Sequence, residues 1–377
     1  MAAVHDVLVV GAGMAGVGLG ILLVEAGVNV RVVDTKDGVH ALGSGITLQG
    51  NALRVLRDLG VWEEVAAHGY AFDDLGLRAP DPHGSLVAQL SELRTGGPDL
   101  PATLGISRPD LARIAVDRAV AAGVRFDYGL GIEGLQAAED SVSVTFTDGT
   151  TGRYDLLVGA DGIRSQVRSL IGITTKPRPT GMGIWRAFTS RPESVTRTDL
   201  FYGGPSYIAG YCPTGPDSLY AYVVEDYHPA RHDLSPQEGL AVMRGLSGAY
   251  HGPWDDIRER LTDPSRVNYT KFETHVVPDA WHRGRVVLAG DAAHSCPPTI
   301  AQGAAMALED AAVLAEILTG ADTFEESLLQ AYADRRLPRA GAVVEGSVQL
   351  GDWLLAHERG DVPGLMGRIS TMLAQRP

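Results

Sequence analysis

Two glycine-centred segments almost 280 residues apart constrain this chain more than any other feature. The first, Gly11-Ala12-Gly13-Met14-Ala15-Gly16, directly follows an apolar run at residues 4–10. The second, Gly290-Asp291-Ala292-Ala293-His294, follows another apolar run at 285–289, with Pro297-Pro298 and Gln302-Gly303 close behind. A run that is apolar at nearly every position reads as a strand buried on both faces of a parallel sheet. Glycines at such a strand end, opening a helix, mark a dinucleotide turn. Gly11 permits the tight turn, Gly13 lets a pyrophosphate approach the backbone, and Gly16 lets helix and strand pack closely. Met14 and Ala15 open the helix, whose N-terminus favours phosphate charge. Asp34, at the end of the next strand (28–33), is placed to accept hydrogen bonds from an adenosine ribose. This first segment alone does not separate FAD from NAD.

The second segment adds a carboxylate at a strand end, where sugar-chain hydroxyls can bind. The free N–H groups of Gln302, Gly303 and Ala304, at the start of a helix expected over 301–318, can stabilise negative charge on a flavin ring. One long ligand touching both segments is FAD rather than a nicotinamide dinucleotide. A third segment, Asp155 to Arg168, runs a buried strand into Asp161-Gly162-Ile163-Arg164. On its own it reads equally as a ligand contact or as a turn with solvated charges.

The expected fold class is α/β: a Rossmann-like FAD-binding domain, an inserted antiparallel β-sheet substrate domain, and C-terminal helices. The FAD-binding domain is expected to be discontinuous, over 1–72, 101–175 and 277–377, and the substrate domain to take 73–100 and 176–276. Residues 73–100 read as loop. Helices are expected over 14–26, 109–122, 236–247 and 324–355, with a short one after Gly50-Asn51. Strands are expected over 142–146, 154–158, 185–189, 198–202, 207–211 and 219–224.

The formal net charge of −14 argues against nucleic-acid partners, because such a surface repels phosphate backbones. No run of 18 apolar residues and no secretory pattern occur, so the expectation is a cytoplasmic protein with no membrane contact. Cys212 and Cys296 are the only cysteines, which excludes a zinc ribbon or disulfide framework. His228 and His232 have metal-pair spacing, but Pro229 breaks the helix such a pair needs, so no metal is expected.

Together the three segments resemble those of the single-component FAD-dependent aromatic hydroxylases, the group of para-hydroxybenzoate, salicylate and 3-hydroxybenzoate hydroxylases. Weaker matches lie at Gly43-Ser44-Gly45-Ile46, at Asn51 to Arg54, and at Ser107-Arg108-Pro109-Asp110. The resemblance implies that Gly11, Gly13 and Gly16 hold the pyrophosphate and Asp34 the ribose, although the family usually has the longer Glu there. It implies Arg108 along the ribityl–pyrophosphate part, Asp161 in a signature shared by FAD and reduced nicotinamide, and Asp291 on ribityl hydroxyls. Pro298 would sit by the reactive edge of the flavin, Gly303 and Ala304 at its pyrimidine end, and His294 behind the first layer.

The implied reaction consumes NADH or NADPH and dioxygen. It hydroxylates a small hydroxylated or amino-substituted aromatic or heteroaromatic ring through a flavin C4a-hydroperoxide. The alternative kept open is an epoxidase, Baeyer–Villiger or ring-oxidising enzyme acting on a larger natural-product intermediate. Tyr207, Tyr211 and Tyr222, with Tyr202, are the candidates to line the ring site, and Arg186 to pair with a carboxylate. A homodimer is compatible with this reading.

Overall fold

The computed structural model describes residues 2–39 and 44–377. Gly43, in one of the weaker family matches, lies outside the described residues. The first strand, Asp6–Val10, buries four consecutive apolar residues, as a strand covered on both faces requires. It pairs in parallel with Asn29–Asp34 on one side and Leu156–Gly159 on the other. Helix Met14–Glu25 connects the first pair. Val286–Leu288 and Arg125–Tyr128 extend the sheet in parallel on its two sides, and His282–Arg283 closes one edge antiparallel. Because the chain leaves the first strand in opposite directions on its two sides, a crevice opens at the carboxyl ends of these strands. Gly11 lies there, and so does Gly290, just beyond Val286–Leu288.

Two expectations need correction. Residues 154–158 are not one strand. Thr151–Tyr154 closes a small antiparallel sheet, whereas Leu156–Gly159 enters the parallel one. Asp155 makes the corner, its carboxylate accepting from the backbone N–H groups of His5 and Asp6 at 2.7 and 3.1 Å. Nor is 73–100 a loop. Asp74–Arg78 and Leu86–Ser91 form a hairpin, and the first of these pairs in parallel with Thr198–Tyr202. Most of the Gly, Pro and Asp residues there fall in the turns, but Asp74 and Gly76 lie within the first strand.

An eight-stranded sheet faces the crevice. Its order is His294–Ser295, Val267–Val276, Arg178–Ser190, Ser218–Asp226, Ile208–Pro213, Thr198–Tyr202, Asp74–Arg78 and Leu86–Ser91. Strand alternation divides its side chains between two faces. Trp185, Phe201, Tyr211, Leu219, Ala221 and Val223 face outward onto helices Pro236–Ser247 and Pro253–Arg260, around Met243 and Trp254. Ile184, Ile208, Val224, Tyr202 and Tyr222 face inward. The edge strand His294–Ser295 follows Asp291 in the chain by only a few residues, which ties this sheet to the second glycine segment. Among the described residues, no helix is long and apolar enough to cross a membrane.

Candidate active site

The glycine turn is set before any ligand arrives. Gly11 has φ +109°, and a Cβ there would collide with the carbonyl of Ala160 on the neighbouring strand. A Cβ on Gly16 would strike the carbonyl of Gly11. At Gly13, in contrast, an added Cβ meets nothing within 4 Å, so this backbone faces open space. Gly13 caps helix Met14–Glu25 without any side-chain hydrogen bond, leaving the first-turn N–H groups of Met14 and Ala15 available. Asp34 accepts from the N–H of Ala12 at 2.9 Å and from that of Lys36 at 2.9 Å, bracing the turn from the next strand.

The second segment is held from behind by buried charge. Asp310, on helix Gly303–Thr319, accepts from the Gly290 N–H at 2.8 Å, bonds His294 Nε2 at 2.7 Å and accepts from Arg336 Nε at 2.7 Å. Burial alone would raise its pKa, but His294 and Arg336 hold it below the usual carboxylate range. Its neighbour Glu309 takes two bonds from Arg339, one from Arg336 and one from the Asn51 side chain. Asn51 also donates to Gln302, the residue before that helix. Ala301, one residue earlier, adopts φ +55°, a left-handed conformation costly for a residue with a Cβ. The helix itself starts at Gly303-Ala304 without a side-chain cap. Glu309, Asp310, Arg336 and Arg339 were not assigned a role from sequence. Their signal is Glu309-Asp310 inside an otherwise apolar helix.

Asp291 contrasts with Asp310. It makes no hydrogen bond or ion pair among the described residues, and burial raises its pKa despite His294 and Arg108 nearby. Its surface is nevertheless accessible, so it stands on the wall of a deep open cleft. Arg108 is likewise accessible yet closely surrounded; burial lowers its pKa, and its Nε reaches only the Gly45 carbonyl, at 3.3 Å. Pro298 lies exposed in the short helical turn Pro298–Ile300.

Asp161 is spent locally. Its carboxylate accepts from Ser165 Oγ and from the N–H groups of Gln166 and Val167, capping helix Gln166–Leu170. Arg164 pairs with Glu273 at the surface. Arg168 is buried and donates to the carbonyl of Ala292 at 2.8 Å, so it supports the Asp291 turn.

The expected tyrosine wall divides. Tyr211 lies on the outer face, and its hydroxyl donates to Asp199 at 2.7 Å, away from the cleft. Tyr207 is at the rim, donating to Asp226 at 2.7 Å. Tyr222 faces inward, its ring lying against Gly210 of the adjacent strand, where any Cβ would press on the phenol at 2.7 Å. Arg186 shares that face, donating to Tyr220 at 3.1 Å and to Thr270. Sequence reasoning also missed Tyr128, near Asp34, whose buried hydroxyl has no partner among the described residues.

A family model described as the FAD binding domain matches residues 4–347. The chain belongs to this family. It is an FAD-dependent monooxygenase of the aromatic-hydroxylase type. It is 31% identical over 353 residues to the aurachin C monooxygenase/isomerase of Stigmatella aurantiaca, covering 92% of this chain and 90% of that one. To the 3-amino-4-hydroxybenzoate 2-monooxygenase of Streptomyces cremeus it is 32% identical over 349 residues, covering 89% and 84%. Among solved structures, the tetrameric form of 2-methyl-3-hydroxypyridine-5-carboxylic acid oxygenase superposes with a TM-score of 0.78 at 25% identity, covering 97% of each chain. The monooxygenase's crevice fits FAD on its own features. It offers two uncapped helix starts, open space at Gly13, and on its wall Asp291, without a hydrogen-bond partner among the described residues, and the Arg108 cation, which bonds only the Gly45 carbonyl among them.

Proposed function

We propose that this monooxygenase hydroxylates a hydroxylated or amino-substituted aromatic or heteroaromatic ring, consuming dioxygen and NADH or NADPH. The observation that carries this reading is that Arg108 stands close both to Asp291 and to Arg186 and Tyr220 of the inner sheet face, so a flavin held by the first would lie beside a ring held by the second. FAD would supply the redox chemistry, carrying two electrons from the nicotinamide to dioxygen so that one oxygen atom enters the ring and the other leaves as water. The relative named for 3-amino-4-hydroxybenzoate, a ring with both substituents, supports the ring class.

In this reading, segments 1–72, 101–175 and 277–377 hold the dinucleotide, and 73–100 with 176–276 hold the ring. Gly11, Gly13, Met14, Ala15 and Gly16 bind the pyrophosphate, and Asp34 binds the adenosine ribose. Asp291 accepts from ribityl hydroxyls, and Arg108 lies against the chain's phosphate side. The N–H groups of Gly303 and Ala304 favour negative charge on the pyrimidine end, and Pro298 borders the reactive edge. The inner sheet face excludes water from the ring and orients it.

The test uses the purified protein with candidate rings and isotopically labelled dioxygen. The expected result is a yellow protein that releases intact FAD on denaturation, and a ring that both accelerates NAD(P)H oxidation and gains one labelled oxygen atom. Nicotinamide oxidation with no oxygen in any ring would replace the monooxygenase reaction with a simple oxidase one.

A further inference from the structure

The hydroxyl groups of the large sheet divide into those with partners and those without. Tyr207 donates to Asp226, Tyr211 to Asp199 and Tyr250 to the Gly203 carbonyl, while Tyr220 accepts from Arg186 and Tyr269 from the His228 N–H. Tyr202 and Tyr222 have no partner among the described residues, although both are closely surrounded by protein. They sit on strands Thr198–Tyr202 and Ser218–Asp226, with Ile208–Pro213 between them, and point to the same inner face. Both residues are only partly buried, and a hydroxyl without a partner in the protein can take one from a ligand lying on that face.

The rest of that face is apolar. Met182, Ile184, Ile208, Val224 and Phe272 form its buried floor, with Leu200 beside them. Leu354 and Leu355, at the end of helix Glu326–Leu355, close its far end. Gly351 and Gly181 mark where this helix end meets the floor: a Cβ built on Gly351 would stand in ordinary contact with Met182 Sδ at 3.8 Å, and one on Gly181 with Leu355 at 3.5 Å. Arg186 stands at the opposite end, beside Arg108, with two of its nitrogens already committed to Tyr220 and Thr270.

We propose that this cleft is built for an uncharged, alkyl-bearing ring, with the Tyr202 and Tyr222 hydroxyls binding the ring's polar atoms and the wall ending at Leu354 and Leu355 receiving the alkyl group. The inference rests on the monooxygenase reading and narrows its substrate class. Burial pushes the Tyr202 hydroxyl up to about 12 and that of Tyr222 well above its ordinary value, so both stay neutral donors. Neutral donors on an apolar wall satisfy a carbonyl or hydroxyl. A carboxylate lying along that wall would be desolvated without a cation.

The FAD-containing enzyme is titrated with 4-methylphenol, 4-butylphenol, 4-heptylphenol and 4-hydroxybenzoate, and Kd is read from the perturbation of the flavin absorption spectrum. The expected result is a roughly fourfold tightening per methylene over the first few carbons, with 4-hydroxybenzoate at least about tenfold weaker than 4-butylphenol. Tyr202→Phe and Tyr222→Phe should weaken every alkylphenol about tenfold with FAD content unchanged. Leu354→Asp should abolish the dependence on chain length, and Leu354→Ala should blunt it. A Kd independent of chain length, or tightest binding by 4-hydroxybenzoate with loss on Arg186→Met, would overturn the proposal and leave the monooxygenase reading standing. A protein that purifies without FAD and fails to take it up would overturn both.

Discussion

On the outer face of the eight-stranded sheet, the tyrosine hydroxyls and charged groups are paired within the protein, although the buried indole N–H of Trp254 has no partner among the described residues. Tyr211 meets Asp199, which also accepts from Arg78 and Arg197, and the rings of Phe201, Tyr211, Tyr250 and Trp254 contact one another edge-on or tilted. On the cleft side, the hydroxyls of Tyr202 and Tyr222 and, beyond the sheet, the carboxylate of Asp291 have no hydrogen-bond partner among the described residues. Both sides use the same residue types. The difference lies in whether a group's hydrogen-bonding capacity is met on folding or left for a ligand. Outer-face residues should therefore be read out as stability, and cleft residues as binding.

The largest expected effect tests the closed side. Trp254 is fully buried between the sheet and helix Pro253–Arg260, so Trp254→Ala should cost about 3–5 kcal/mol, measured by denaturant unfolding. A cost below about 1 kcal/mol would mean that the outer face is not closed. Next comes the open acid. Asp291→Ala should weaken FAD binding by about 1.5–3 kcal/mol, tenfold or more in Kd, while the FAD-free protein unfolds at an unchanged denaturant midpoint. Loss of stability without loss of FAD affinity would move Asp291 to the closed side. The smallest effect is at Tyr211. Tyr211→Phe should lower stability by about 0.5–1.5 kcal/mol and leave ligand Kd unchanged, because Asp199 keeps its two arginines. A change in ligand affinity there would break the division between the faces.

Local signals made the glycine unit legible. Turn, helix and acid occur within one βαβ stretch, and the observed elements differ from the expected ones by only a residue or two. The helix at Pro236–Ser247 was equally clear, because Ser235 and Glu238 form a capping box around a proline start. The hairpin within 73–100 was not, because its strands are short and the partner of its first strand, Thr198–Tyr202, lies more than a hundred residues away. Register is likewise non-local. Tyr211 and Tyr222 both fall in aromatic strands, and only the pairing of Tyr222 with Gly210 and of Tyr211 with Ala221 sends them to opposite faces. The Asp310 network escaped for a related reason: Gly290, His294 and Arg336 meet one carboxylate only after three elements have packed.

Gly210 gives the cleft an adjustable shape. The ring of Tyr222 rests where any other residue would place a Cβ. A single change at that position would lift the phenol and redraw the cavity's outline. The site where the dinucleotide is gripped, at Gly11 to Gly16 and Asp291, lies on other elements and would be untouched. Substrate range in this enzyme can therefore drift by one codon without putting the cofactor at risk.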